Sequence, residues 1–190
     1  MALKSTVFVF PLLLLLLLLL RVRFSAAAAA AGVNDIQNIR DVCQYTEPNR
    51  ELCVSTLSSD ARGATADRRG LAEIALDTAM VNASENVLYT QWLASKARGR
   101  WRREGYRACR DFFNLTVRPH TLQAEFNFHK GDYDNAIKEL SYCLGYSQKC
   151  GEAIKNLADK GHTPPLRNRV ELQMNLCEIS QVLVMILRIG

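Results

Sequence analysis

Apolar side chains fall first into one continuous run and then into stripes at three- and four-residue spacing. The run, Val7 to Leu20, is about 14 mostly leucine residues, with Lys4 ahead of it and the small residues Ser25 to Gly32 behind. A charged start, an apolar core and a small-residue exit are the three parts of a secretory leader. Residues 1–31 are therefore read as a signal peptide and 32–190 as the mature chain. A membrane anchor is the lesser reading, because a spanning helix needs about 20 apolar residues and Pro11 interrupts this run.

Beyond the leader the period is helical. Ile36, Ile39 and Cys43 recur on one face of a short helix from Asp35 to Tyr45, and Pro48 opens a second that ends near Leu57. From Asp67, a good cap, to Ala97 the positions Leu71, Ile74, Ala75, Thr78, Val81, Leu88 and Trp92 predict a core face on a helix about 45 Å long. Gly99 and Gly105 bracket the next break. Tyr106 to His129 carries Phe112, Phe113, Leu115, Leu122 and Phe126, with Pro119 predicting a kink near Val117. Asp132 caps a further helix through Tyr133, Ala136, Ile137, Leu140, Leu144, Ile154 and Leu157, stopped by Gly161, Pro164 and Pro165. The last runs from Arg167 to Leu187. Alternating β-type runs and Asn-Gly or Asp-Gly hairpins are lacking. The pattern predicts an all-α fold: an antiparallel up-and-down four-helix bundle preceded by a short helical hairpin.

Composition refines this picture in two ways. The 190 residues carry a net charge of +5, of which Lys4, Arg21 and Arg23 of the leader supply three, leaving about +2 on a mature chain of single-domain size. An oxidising destination makes disulfides plausible among Cys43, Cys53, Cys109, Cys143, Cys150 and Cys177. Cys109 lies about 22 residues before the turn at Gly131 and Cys150 about 19 after it, so the two reach similar heights on neighbouring helices and can pair. Closing that loop stabilises by roughly 4 kcal/mol and closing Cys43 to Cys53 by roughly 2.8 kcal/mol. Cys177 is level with Cys150 in the helix that follows, so a Cys150 to Cys177 bridge remains open by height alone. Cys143, about 10 Å out of register with Cys177, is read with it as a pair of buried free thiols.

Several segments together resemble the plant invertase and pectin methylesterase inhibitors. Cys43-Gln-Tyr-Thr46, leading to Pro48 and Cys53, is similar to that family's opening motif with one extra residue. Asp67-Arg-Arg-Gly70-Leu71-Ala72 is similar to the start of its first bundle helix, and Cys109, Gly131-Asp-Tyr133 and Leu140-Ser141 leading to Cys150 match its middle. The resemblance implies disulfides Cys43 to Cys53, stapling the hairpin, and Cys109 to Cys150. It also implies a secreted inhibitor of the apoplast or cell wall, with the vacuole as an alternative, binding one target enzyme and covering its cleft. Invertase inhibitors commonly carry Pro-Lys-Phe where this chain has Asp132-Tyr133-Asp134, which favours pectin methylesterase over acid invertase as target. The stretch Asn175 to Ser180 lacks the Ser-Asn-Ala-Leu pattern frequent in methylesterase inhibitors.

Little points to catalysis. His120, His129 and His162 are dispersed, and neither a nucleophile elbow nor metal-ligand spacing occurs, so no enzyme activity, metal or cofactor is expected. Asp132 and Asp134 read as helix-start acids that complement the macrodipole. The one pronounced charge feature is Lys96, Arg98, Arg100, Arg102, Arg103, Arg107 and Arg110 with Trp101 among them. Its plain reading is a solvated connection between helices; its functional reading is a patch for an acidic enzyme face or an acidic polysaccharide, held without inhibition. A small net charge and a leader argue against nucleic acid, and no membrane partner is expected after leader removal. Asn82-Ala-Ser84 and Asn114-Leu-Thr116 are glycosylation sequons.

Overall fold

The computed structural model describes residues 38–158 and 165–190; the leader at 1–31 and His162 lie outside the described residues. Among those residues the chain is helical, with no strand. Two short helices, α1 (38–43) and α2 (Arg50–Ser59), precede α3 (Arg68–Lys96). Next come α4 (Arg100–Phe112), a π turn (Phe113–Val117) and α5 (Arg118–His129), which form one bent rod, then α6 (Tyr133–Ala158) and α7 (Arg167–Ile189). Each long rod packs on the next, and α7 closes back onto α3. This is the expected four-rod bundle behind a stapled hairpin.

Local chemistry sets the element ends. Asp67 Oδ1 accepts the Gly70 amide at 2.8 Å and caps α3. Gly131 adopts φ +76° to leave α5, a conformation that suits a residue without a Cβ. Pro119 cannot donate to the carbonyl a turn earlier, and the chain widens there into the π turn, whose Arg118 amide reaches back to the Phe113 carbonyl. The expected kink thus takes the form of one widened turn. The Gly99 to Gly105 break is corrected: Gly99, at φ +92°, is itself the N-cap, and the helix begins at Arg100. The arginine run is therefore largely helical.

The core also corrects the stripe read on α3. Leu71, Ile74 and Ala75 are buried as expected, but Val81, Leu88 and Trp92 are exposed. Ala72, Leu76, Ala79, Ala83, Asn86, Thr90, Leu93 and Ala94 face inward instead. Large apolar residues at helical spacing predict a core face, whereas small inward residues are what let neighbouring helices approach closely. The same reversal occurs on the second rod, where Leu115, Leu122 and Phe126 are exposed while Phe113, Val117, Ala124 and Phe128 are buried. The hairpin adds Ile39, Val42 and Leu57 to the core layer containing Ile74, Ile179 and Leu183. Asn49 donates from its side chain to Glu178 of α7 at 2.9 Å, tying the hairpin to the bundle. Although α7 is long and apolar enough to cross a bilayer, its Val170, Leu176, Ile179 and Leu183 are core residues of the bundle.

Three disulfides fasten these parts: Cys43 to Cys53 within the hairpin, Cys109 to Cys150 between α4 and α6, and Cys143 to Cys177 between α6 and α7. The last replaces the expected pair of free thiols. Gly151 faces Val170, where an added Cβ would meet Cγ1 at 3.6 Å. Two turns further along both helices this register brings Cys143 opposite Cys177, Cα to Cα 6.1 Å. The expected register, with Cys150 level with Cys177, is displaced from this one by about two turns.

Candidate docking surface

Exposed apolar side chains on a folded bundle are candidates for partner contact when they cluster. Leu122 and Phe126, one turn apart, are 43% and 52% exposed on α5, and Leu115, 68% exposed, projects from the preceding π turn. Lys130 Nζ sits 4.1 Å from the Phe126 ring centroid and gives this edge a cationic rim. On α6, Tyr142 is also exposed. Beside it His120 Nδ1 and Glu139 Oε2 are 2.6 Å apart, and the His120 ring lies parallel to Tyr146 at 5.6 Å. These contacts join α5 to α6, so the apolar edge is carried on a rigid pair of helices. A rigid surface loses little entropy on docking.

The loop from α5 to α6 is occupied with its own structure. Asp132 accepts from the Asn135 amide and side chain at 3.3 and 2.7 Å, and these bonds hold its carboxyl below the usual carboxylate range. Arg69 donates to the Tyr133 hydroxyl at 2.7 Å, and Asp134 pairs with Arg188 at 2.7 Å. Residues 132–134 thus fasten the helix start to α3 and α7. His129, nine residues after His120 on α5, lies near Glu73 and Glu125 instead. Among the described residues no group of His, Cys, Asp and Glu comes together to hold a metal.

The arginine run divides on α4. Arg100 pairs with Glu104 at 2.7 Å and Arg110 with Asp111 at 2.6 Å, whereas Arg103 and Arg107 are exposed. Arg102 turns instead toward the corner between α3 and α4, over Trp101 at 5.2 Å. There a concavity of about 290 Å³ is lined by Trp92, Lys96, Arg98, Arg102 and Tyr106 among others. Burial pushes the Tyr106 phenol above its ordinary pKa, with the Arg102 charge opposing. The sequence named these cations but not the concavity, which needs α3 and α4 to fold back on each other.

The two sequons differ. Asn114 is exposed on the π turn, while Asn82 is half-buried inside α3 and its Oδ1 accepts from Asn86 at 2.9 Å.

Among solved structures, the fold is similar to a mutant form of a pectin methylesterase inhibitor from Arabidopsis. The TM-score is 0.66 at 21% identity, over 76% of this chain and 93% of that one. It is also similar to a pectin methylesterase inhibitor from Arabidopsis thaliana, with TM-score 0.59 and 19% identity, over 80% of this chain and 96% of that one. Among curated proteins, none matches the chain. The family model for plant invertase/pectin methylesterase inhibitors matches residues 37–183, nearly all of the bundle and its hairpin, and the chain belongs to that family.

Proposed function

We propose that the protein is a secreted inhibitor of a pectin methylesterase in the apoplast or cell wall, binding one enzyme molecule and covering its substrate cleft. The observation that carries this reading is the family match across residues 37–183. The apolar edge of Leu115, Leu122 and Phe126 is the surface we assign to docking. It stands on a helix tied to α6 through His120 and Glu139, carries a cationic rim at Lys130 and is left open by the bundle. Acid invertase is the alternative target. Residues 132–134, fastened as described, offer no projecting segment to favour it.

Titration of purified protein against a pectin methylesterase and, in parallel, an acid invertase tests the assignment. Methylesterase activity should fall linearly to a floor near one equivalent while invertase is unaffected. The double variant Leu122→Asp, Phe126→Asp should weaken inhibition by about tenfold or more, the usual scale of a central apolar contact, with an unchanged melting temperature. Inhibition of invertase alone transfers the target, and loss of neither activity rejects the inhibitor function.

A further inference from the structure

We infer that the corner between α3 and α4 is a binding site for an acidic oligosaccharide, separate from the docking edge and independent of the inhibitor reading. Three cations, Lys96, Arg98 and Arg102, line the concavity with no acidic side chain among the lining residues. None of the three has an ion pair among the described residues. Arg102 Nε is buried without a hydrogen-bond partner. The protein thus leaves this guanidinium without a carboxylate of its own, and Arg102 is only half-buried, so its accessible edge is open to a charge-assisted bond with an arriving carboxylate oxygen.

The uncharged lining selects the rest of the ligand. Trp92 is 52% exposed and offers an indole face, against which the C–H face of a pyranose ring packs. Tyr106 brings a phenol hydroxyl, a group able to donate a hydrogen bond, to the same concavity. A volume of about 290 Å³ is at the small end of ligand pockets and suits one or two sugar units of a longer chain. Exposed Arg103 and Arg107 extend the positive field along α4 for the units beyond. Hexuronate, a ring with one carboxylate per unit, meets all of these demands. A single-stranded nucleic acid also joins aromatic to arginine, but it is served by successive stacking faces along a groove, and of the two aromatic residues lining this concavity only Trp92 is exposed, Tyr106 being buried.

Calorimetric titration of the purified chain with a galacturonate hexamer, its fully methyl-esterified counterpart and an oligothymidine of equal length tests the inference. Saturable binding of the acidic hexamer alone is expected. Arg102→Gln and Lys96→Ala should each weaken it by about tenfold, the worth of a charge-assisted hydrogen bond. Arg107→Gln should cost less than about threefold, as a screened surface charge does. Methylesterase inhibition by Arg102→Gln should match the parent, because Arg102 and Phe126 are on the order of 35 Å apart along the rod. Lys96 is exposed, so its variant reports on the site even if Arg102→Gln folds poorly. Absence of saturable binding, equal binding of the esterified hexamer, tighter binding of oligothymidine, or equal losses at Arg102 and Arg107 would each overturn the site.

Discussion

Cys143 of α6 and Cys177 of α7 are bonded to each other across the bundle, and the buried amide of Gln173 lies one turn away. Its nitrogen is 3.4 Å from Cys177 Sγ and 3.1 Å from the Ala79 carbonyl of α3. α7 is thereby held to both of its neighbours at one level. The closed loop has a sequence separation of 34, for which chain entropy gives about 4 kcal/mol. The double variant Cys143→Ser, Cys177→Ser should lose about that much in denaturant unfolding while keeping its helical spectrum. Non-reducing peptide maps of the parent should yield the 143–177 cross-linked peptide; alkylation of either thiol without reductant would contradict the pairing.

Gly63 makes the tightest approach of any glycine among the described residues. A Cβ there would lie 2.0 Å from the carbonyl oxygen of Leu57, in the last turn of α2, which cannot swing aside like a flexible side chain. Gly63→Ala should destabilise by about 1–3 kcal/mol, the range for forced overpacking. Gly145, inside α6 with nothing within 4 Å of the added carbon, should respond in the opposite sense, Ala gaining up to about 1 kcal/mol from helix propensity. Thermal melts of the two variants give the comparison directly.

Arg62 donates to Asp60 at 2.7 Å and pairs with Asp77 at 2.8 Å, linking the α2–α3 connection to α3. Side-chain and backbone hydrogen bonds from Arg62 hold the Asp60 carboxyl at about 2, below the usual 3.8. A carboxylate depressed in this way adds stability that is complete above its unfolded pKa and disappears as pH falls through the folded one. The difference between parent and Asp60→Asn should therefore be flat from about pH 7 to about pH 5 and shrink between about 4 and 2. Because Arg62 is half exposed, that difference should stay below about 1 kcal/mol. A difference already fading near pH 6 would contradict the assignment.

Asn114 and Asn82 should separate on expression through a secretory pathway. Asn114 is exposed on the π turn, so Asn114→Gln should remove one glycan's mass from the product. Asn82 is half-buried on α3 and bonded to Asn86, and Asn82→Gln should leave the mass unchanged. Intact-mass spectrometry of both variants decides; a glycan retained in Asn114→Gln and lost in Asn82→Gln would reverse the reading.

Helix existence was legible because apolar periodicity and end signals agree locally. Asp67 caps, Gly131 terminates and Pro119 disrupts within a turn or two of the residues that announce them. Helix facing was less legible. Val81, Leu88 and Trp92 have helical spacing and large apolar side chains, yet the inward side of α3 is built from Ala72, Ala79, Ala83, Asn86 and Thr90. Periodicity reports that a stripe exists, but which of two stripes is buried depends on the width of the gap that the neighbouring helices leave. Along the middle of α3 the gap admits Ala79 and Ala83, while Val81 and Leu88 remain outside. For the same reason Leu122 and Phe126, named from the sequence as core, are left exposed on α5.

From the sequence alone came the all-helical class, the four-rod organisation, the capping residues and the family resemblance, since each rests on interactions between residues near in the chain or on motifs read in order. Tertiary structure alone decided the bond between Cys143 and Cys177 and the meeting of Lys96, Arg98 and Arg102 beside Trp92. Those depend on the stagger and azimuth of whole helices, to which every packed layer contributes and which no single segment encodes.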